Sequence, residues 1–395
     1  MTKTKVLYII NDLMIGGAQS LVLNLCKDLD KNLFEVQVLY LYDFELKKAT
    51  YMEVFREIGI IPIHLNVEKN GIFAKIKACI SYIKTQKPDI VHLHLPDAVM
   101  IGSFASILTG TKFVIHEHNT HTFHSWKIKL MLAMCRPFAL LTICYAESVE
   151  REVFGTSHVL FKADDVTDQK IVTIPNGVDV RPFRDLRTTF VAGGRMWKEK
   201  RASLGIGIDK IVIFSAARFV AWKGHEHLVN AFLSVRDKNP NLVLVIAGEG
   251  PEKKYIEEII KKNNASEVIR LIGARTDVSE ILMIADIYSL VFSYEKHMQH
   301  AEAIGLSGFE AMAAGLPTII GDYGSAHVYM ENMKNGIIVD PYNIHALGDV
   351  FIQLASDADL RKTIGNGATK KILEILDWCA IIRIYERIYQ HITTS

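Results

Sequence analysis

The densest chemical signal in the chain is a segment with two glutamates, Glu302 and Glu310, eight residues apart. Residues 309–314 are mostly helix formers and Gly315 suits a helix end, so a short helix is predicted there. Residues 305–308 predict a flexible entry whose backbone N–H groups face an anion at the positive helix end, as a diphosphate cradle would require. The two carboxylates suit sugar and ribose hydroxyls, although two surface glutamates would give the same pattern.

Two cations, Arg218 and Lys223, follow a strand predicted at 211–216. Because the carboxyl ends of parallel strands line the ligand crevice in open α/β folds, both side chains are expected beside a ligand. A guanidinium clamps phosphate oxygens in pairs and an ammonium acts as a mobile point charge, so together they suit a leaving diphosphate. The alternative is a pair of ordinary loop cations.

In the first half, Gly16 and Gly17 lie between a predicted strand and a predicted helix at 18–29. They let the backbone approach a ligand closely, but a full GxGxxG is absent.

Three histidines, His116, His118 and His121, lie at or after the end of a further predicted strand. Such a histidine suits the orientation of a sugar hydroxyl or a structural role, and a metal site would need ligands from elsewhere. Asp28 and Asp30 have the DxD spacing of some metal-dependent transferases, but they fall at a predicted helix end, where both are expected to be solvated. No metal site is predicted.

These residues require a scaffold, and short apolar runs alternating with longer amphipathic segments indicate βα units around parallel sheets. Two series of strands are separated by a turn at 174–179, and the domain boundary is placed near 183–205. The basic stretch 187–201 is interpreted as a solvated linker or helix face. The predicted strands are 5–10, 34–42, 61–65, 89–94, 112–116 and 140–144, then 211–216, 242–247, 268–272, 287–292, 317–320 and 336–339.

Composition sets further bounds on the function. The 395 residues are enough for two domains, and a hydrophobic content of 49% with a net charge of +1 excludes a disordered chain and gives no global field for nucleic acid. The five cysteines are odd in number and form no CxxC pair, which indicates reduced thiols in the cytoplasm. The apolar run 130–145 is interrupted and too short to cross a bilayer, so no transmembrane helix is predicted.

Taken together, these motifs resemble family 4 (group 1) of the retaining GT-B glycosyltransferases, over nearly the whole chain. The most specific parts are the segment from Glu302 to Pro317 and the spacing of Arg218, Lys223 and Gly224. The chain departs from the family pattern in a longer segment at 294–301 and in Ala303-Ile304, where Gly-Phe is usual.

The resemblance implies two Rossmann-like domains facing each other across a cleft: an acceptor-binding domain at 1–185, a nucleotide-sugar-binding domain at 186–375, and a C-terminal helix at 376–395 that crosses back to the first domain. Glu302 is expected to contact the donor sugar, Glu310 the ribose, and Arg218 and Lys223 the diphosphate. The catalytic set is Glu302, His118, Arg218 and Lys223, and the donor-binding set is Gly16, Gly17, Arg218, Lys223, Ile272, Arg275, Ile304, Gly305, Leu306 and Glu310.

The implied activity is metal-independent, retaining transfer of a hexosyl or N-acetylhexosaminyl unit from a nucleotide sugar, UDP-linked by preference, to a glycan or lipid-linked glycan, as in surface polysaccharide biosynthesis. No cofactor is expected besides the donor as co-substrate. The alternatives are a sugar-nucleotide epimerase or hydrolase of similar fold, and a non-catalytic sugar-binding protein.

The segment 126–132 mixes bulky apolar and basic residues, which suits a helix lying on the inner face of the cytoplasmic membrane. A core helix with snorkelling lysines is the alternative.

Overall fold

The computed structural model describes residues 3–14, 16–43, 50–67, 71–118, 125–292 and 305–394. Spatial contacts divide the chain into two compact units: unit 1 comprises Met1–Asn176 and Cys379–Ser395, and unit 2 comprises Gly177–Trp378.

In the described part of unit 1, seven strands form one parallel sheet with helices between them. The strands are β1 (Thr4–Ile10), β2 (Phe34–Tyr40), β3 (Ile63–His64), β4 (Ile90–His94), β5 (Lys112–Glu117), β6 (Leu141–Cys144) and β7 (Ile171–Thr173), in the order β3-β2-β1-β4-β5-β6-β7. The helices are α1 (Gly17–Asp28), α2 (Met52–Glu57), α3 (Ile72–Gln86), α4 (Pro96–Thr109), α5 (Trp126–Cys135) and α6 (Glu147–Phe154).

Unit 2 repeats this plan, and the part of it that the structure describes holds a six-stranded parallel sheet. Helices α7 (Arg181–Thr189) and α8 (Arg195–Ser203) precede β8 (Ile211–Ala216), β9 (Leu242–Ala247), β10 (Ile269–Leu271), β11 (Ile287–Leu290), β12 (Thr318–Gly321) and β13 (Ile337–Val339), in the order β10-β9-β8-β11-β12-β13. The other helices are α9 (His225–Val235), α10 (Lys253–Lys262), α11 (Val278–Leu282), α12 (Leu306–Ala314), α13 (Ala326–Tyr329), α14 (Ile344–Ser356) and α15 (Ala358–Ile375).

Each sheet has a topological switch point, where the order of the strands reverses. In unit 1 it lies between β1 and β4, and in unit 2 between β8 and β11. Ligands of open α/β sheets bind outside the carboxyl ends of the strands at this point, so the loops that follow these four strands position any site.

The last helix, α16 (Trp378–Thr394), belongs almost wholly to unit 1. Just before it, the backbone pairs with the start of unit 2: the Val178 N–H donates to the Leu376 carbonyl (2.9 Å), and the Trp378 N–H donates to the Val178 carbonyl (3.0 Å). This pairing explains why 177–185, assigned from the sequence to the first domain, groups with unit 2 in the structure.

The two-sheet α/β architecture is confirmed, with local corrections. Strand β7 at the sheet edge was not predicted, and α12 begins at Leu306 rather than at residue 309. The basic stretch 187–201 belongs largely to α7 and α8 and is mostly exposed, as the predicted helix face requires. Its last residue is the exception, because the Arg201 guanidinium is buried and donates to the Ile284 carbonyl (2.9 Å) and the Asp286 carboxylate (2.8 Å). None of the described helices is both long and apolar enough to cross a bilayer.

Candidate functional site

In unit 2, Arg218 and Lys223 lie on the loop that follows β8, at the switch point. The Lys223 Nζ lies 4.7 Å from the centre of the Phe292 ring, directly after β11, and the Arg218 guanidinium lies 5.7 Å from the Trp222 ring. His225 supports this loop, since its Nε2 donates to the Arg218 carbonyl (3.3 Å). Burial lowers the pKa of His225 to about 4. Two cations are thus positioned at the carboxyl ends of the two central strands.

Two glycines after β9 hold this loop close to the sheet. A Cβ at Gly248 would lie 2.0 Å from the Ala217 carbonyl oxygen, and one at Gly250 would lie 2.3 Å from the Phe219 carbonyl oxygen. Both glycines also have positive φ angles, of 146° and 158°. Any side chain at either position would therefore displace the segment that carries Arg218.

Helix α12 begins beside the same loop. The Ser307 hydroxyl donates to the carbonyl of Ala216, the last residue of β8 (2.7 Å), and the Tyr288 hydroxyl donates to Ser307 (2.7 Å). Gly305 precedes the helix with a φ of 77°, and no side chain among the described residues caps this end. An uncapped helix N-terminus attracts anions, but the flexible entry predicted at 305–308 is not observed, because Leu306 to Gly308 already belong to the helix.

Glu310 lies in the second turn of α12 and is half-buried. Burial raises its pKa from 4.5 to about 7, and no described residue donates a hydrogen bond to its carboxylate. Such a carboxylate can accept hydrogen bonds from the hydroxyl groups of a ligand. Glu302 and Ile304, the other predicted contacts of this segment, lie outside the described residues.

The predicted base-flanking residues follow β10. The Ile272 N–H donates to the Ile246 carbonyl (3.0 Å), which extends the sheet by one bond. Arg275 forms a two-bond pair with Asp277 (2.8 and 2.6 Å), and Lys200 contacts the same carboxylate. The Arg275 guanidinium is therefore engaged within the protein.

In unit 1, Gly16 and Gly17 open α1 at the other switch point. A Cβ at Gly16 would lie 2.6 Å from the Gln19 side-chain oxygen, whereas nothing lies within 4 Å of one at Gly17. Gln19 is held by the Asp12 carboxylate (2.9 Å). A Cβ at Gly16 would displace only the end of the Gln19 side chain, so neither glycine is strictly required by the local packing.

Four histidines occupy one face at the carboxyl end of β4 and β5. His94 and His116 are register partners on the two strands, and the His92, His94 and His116 side chains are buried. Neighbouring rings lie close together, with 4.3 Å between the centres of His92 and His94 and 4.4 Å between His116 and His118. Burial lowers the pKa of His92 and of His118 to about 3, so all four imidazoles are neutral at ordinary pH.

Tyrosines of β1 and α16 cover this cluster. The Tyr389 hydroxyl bonds to His92 Nδ1 (2.7 Å) and to the Tyr8 hydroxyl (3.1 Å), while the Tyr385 ring lies 6.3 Å from His92. His118, the predicted catalytic histidine, bonds through Nε2 to His94 Nδ1 (2.9 Å). Its orientation is thus supported by a second histidine, and none of the described residues bonds to its Nδ1. His121 lies outside the described residues.

Two family models match the chain and together span most of it. The model described as "Glycosyltransferase Family 4" matches residues 15–181, and the model described as "Glycosyl transferases group 1" matches residues 197–371. The chain belongs to the family 4, group 1 glycosyltransferases.

Similar proteins of this glycosyltransferase are themselves named as glycosyltransferases. This chain is 26% identical to the putative glycosyltransferase EpsF of Bacillus subtilis over 331 residues, which is 81% of this chain and 80% of EpsF. It is 25% identical over 281 residues to an Escherichia coli UDP-Gal:α-D-GlcNAc-diphosphoundecaprenol α-1,3-galactosyltransferase, with 70% and 68% of the two chains covered. Transfer of a glycosyl group is therefore its activity.

Solved structures show the same fold as this glycosyltransferase. A glycosyltransferase from Rickettsia africae superposes with a TM-score of 0.78 at 20% identity over 99% of both chains. Anabaena HepE in complex with UDP gives 0.78 at 17% identity over 99% of this chain and 100% of HepE. The GT-B fold expected from the resemblance is confirmed.

Sequence reasoning missed two groups of residues in this glycosyltransferase. Gly248 and Gly250 were detectable as a G-x-G-P motif directly after a predicted strand. His92 and His94 are two residues apart in β4, and side chains at that spacing in a strand lie on the same face of the sheet. Their proximity to His116 could not be read from the sequence, because it depends on the pairing of β4 with β5.

Proposed function

We propose that this glycosyltransferase transfers a hexosyl or N-acetylhexosaminyl group from a UDP-sugar to a hydroxyl of a glycan or lipid-linked glycan, with retention and without a metal ion. The observation that carries the donor assignment is the Ser307 bond to Ala216, which fixes the N-terminus of α12 at the end of β8. Backbone N–H groups and the cations Arg218 and Lys223 then converge on one switch point, as a diphosphate requires.

Each proposed contact follows from this placement. Arg218 and Lys223 offset the charge that develops on the leaving diphosphate, the N–H groups at Gly305 and Leu306 bind its oxygens, and Glu310 accepts from the ribose. We also propose that His118, in unit 1, contacts a hydroxyl of the reacting sugar.

Retention and the UDP donor are supported by the relatives. The Escherichia coli relative is named for UDP-Gal and an α-1,3 linkage, and an Acholeplasma laidlawii relative is an α-monoglucosyldiacylglycerol synthase, 23% identical over 334 residues. An α product from an α-linked sugar nucleotide is a retained configuration. We infer front-face attack by the acceptor hydroxyl, because no protein nucleophile is proposed at the site.

We propose a lipid-linked acceptor because α5 and the residues directly after it expose a row of apolar side chains. Trp126, Leu130, Met134 and Phe138, at four-residue spacing, are 70%, 56%, 57% and 61% exposed. The other face of α5 packs into the core through Leu132 and Cys135, and the exposed Lys127 beside Trp126 suits anionic headgroups. We therefore propose contact with the inner face of the cytoplasmic membrane. Sedimentation with anionic phosphatidylglycerol vesicles should capture the wild type but not Leu130→Glu, and equal sedimentation of both would reject the contact.

The donor assignment is tested by thermal shift with UDP and UDP-hexoses, since a ligand of the native state raises the unfolding midpoint. Lys223→Ala and Arg218→Ala should lose this shift, while Lys238→Ala, which removes a cation from the turn between α9 and β9, should keep it. Equal shifts in all three variants would reject the diphosphate site.

The reaction itself needs a separate assay. NMR of the product reports its anomeric configuration, and unchanged turnover in EDTA is expected for metal-independent transfer. Rapid consumption of the UDP-sugar without any acceptor would favour the epimerase or hydrolase instead.

A further inference from the structure

We propose that His92, His94 and His116 bind one divalent transition-metal ion of the zinc type within unit 1, at a structural site that takes no part in donor binding. One ring nitrogen from each histidine lies within 4.8 Å of the other two. Tetrahedral coordination at about 2.0–2.1 Å places ligand nitrogens about 3.4 Å apart, so modest ring rotations complete the site. The inference goes beyond glycosyl transfer and does not depend on it.

The hydrogen bonds of the cluster leave the ligand atoms free. His92 and His94 each use Nδ1 in a hydrogen bond, to the Tyr389 hydroxyl and to His118 Nε2. Their Nε2 atoms, and both ring nitrogens of His116, are buried without a partner in the part of the chain that the structure describes. A metal-ligating histidine typically donates its other N–H to such an outer partner, and His92 and His94 have one, whereas His116 has none among the described residues.

Stacked histidines without a metal ion would be costly here. Each buried polar nitrogen without a partner carries an uncompensated desolvation cost, and this cluster holds several of them. Coordination removes that cost at three of these atoms.

The ligand set also selects the ion. Three imidazoles with no carboxylate suit Zn²⁺, Co²⁺, Ni²⁺ or Cu²⁺ and disfavour Mg²⁺ and Ca²⁺, which require oxygen ligands.

The test uses the full chain without an affinity tag, stripped with EDTA and titrated with Co²⁺. The wild type should take up a single Co²⁺ per chain, with the visible bands of a tetrahedral ion, and Zn²⁺ should displace it. His116→Gln and His94→Gln should lose these bands. His64→Gln, which changes a histidine of β3 in the same sheet, should keep them.

Two outcomes would overturn the site: a stripped wild type that takes up no Co²⁺, or His116→Gln and His94→Gln chains that bind it as well as the wild type. Should these variants not fold by circular dichroism, X-ray absorption of the zinc-loaded wild type decides. Three imidazole ligands support the site, whereas one imidazole or any sulfur ligand contradicts it.

Discussion

Replacing Glu310 by glutamine is expected to stabilise unit 2 and to weaken nucleotide binding. The carboxyl group is half-buried in α12, no described residue donates to it, and burial raises its pKa from 4.5 to about 7. Glutamine keeps the shape and removes the charge. The variant therefore lacks the penalty that the wild type incurs when this carboxyl ionises inside the protein.

The sign and size of the effect follow from the two pKa values. Because the native carboxyl holds its proton more tightly than the unfolded one, the wild type loses stability as the pH rises from 4.5 to 7, and the loss levels off above 7. The penalty is about 1 kcal/mol at pH 5 and about 3 kcal/mol at pH 8. The cost of burying the glutamine amide is the same at both pH values, so the variant should gain about 2 kcal/mol between them.

Urea unfolding of the wild type and Glu310→Gln at these two pH values measures the gain. Glu258→Gln, which neutralises an exposed carboxylate on α10, should show no comparable change. A Glu310→Gln variant whose advantage is independent of pH would refute the reasoning.

Calorimetry of UDP binding tests the other half of the prediction. If ribose hydroxyls bind the ionised carboxylate, the wild type should release about 0.9 proton more than the variant at pH 6 and about 0.1 more at pH 8. UDP should bind the variant about 10-fold to 100-fold more weakly, as expected for loss of a charged hydrogen bond. Equal proton release by both proteins would remove Glu310 from the ribose site.

Two further substitutions test the packing that supports the site. Arg201→Met should reduce the free energy of unfolding by about 3–5 kcal/mol, because it leaves Asp286 without its buried partner. The control, Arg195→Met on the exposed face of α8, should change the free energy of unfolding by less than about 0.5 kcal/mol. Similar urea midpoints for these two would contradict the role of Arg201. Gly365→Ala should lower the thermal midpoint by several degrees, because its Cβ would lie 2.0 Å from the Gly315 carbonyl oxygen at the end of α12. An unchanged midpoint in calorimetry would show that α15 shifts to accept the added methyl group without loss of stability.

The sheets were largely predictable because strands of parallel sheets are buried on both faces and read as continuous apolar runs. Strands β8 and β9 occur where the sequence predicts them. Strand β7 was missed because three residues at a sheet edge give too short a run for such a signal.

Other features depend on partners that are distant in sequence. Arg201 is buried because Ile284 and Asp286, more than eighty residues away, accept its hydrogen bonds, and a local count of charges cannot contain that information. The same limit applies to the histidine cluster, which exists only because β4 pairs with β5 and Tyr389 returns from the end of the chain.

The backbone pairing of Val178 with Leu376 and Trp378 has a consequence for the order of folding. Unit 2 enters and leaves at neighbouring points, so it is an insertion into unit 1 and can close on itself without helix α16. Unit 1 must wait for its last helix, which carries Tyr385 and Tyr389 over the histidines. Deletion of α16 alone would thus remove from unit 1 the two tyrosines that cover its histidines.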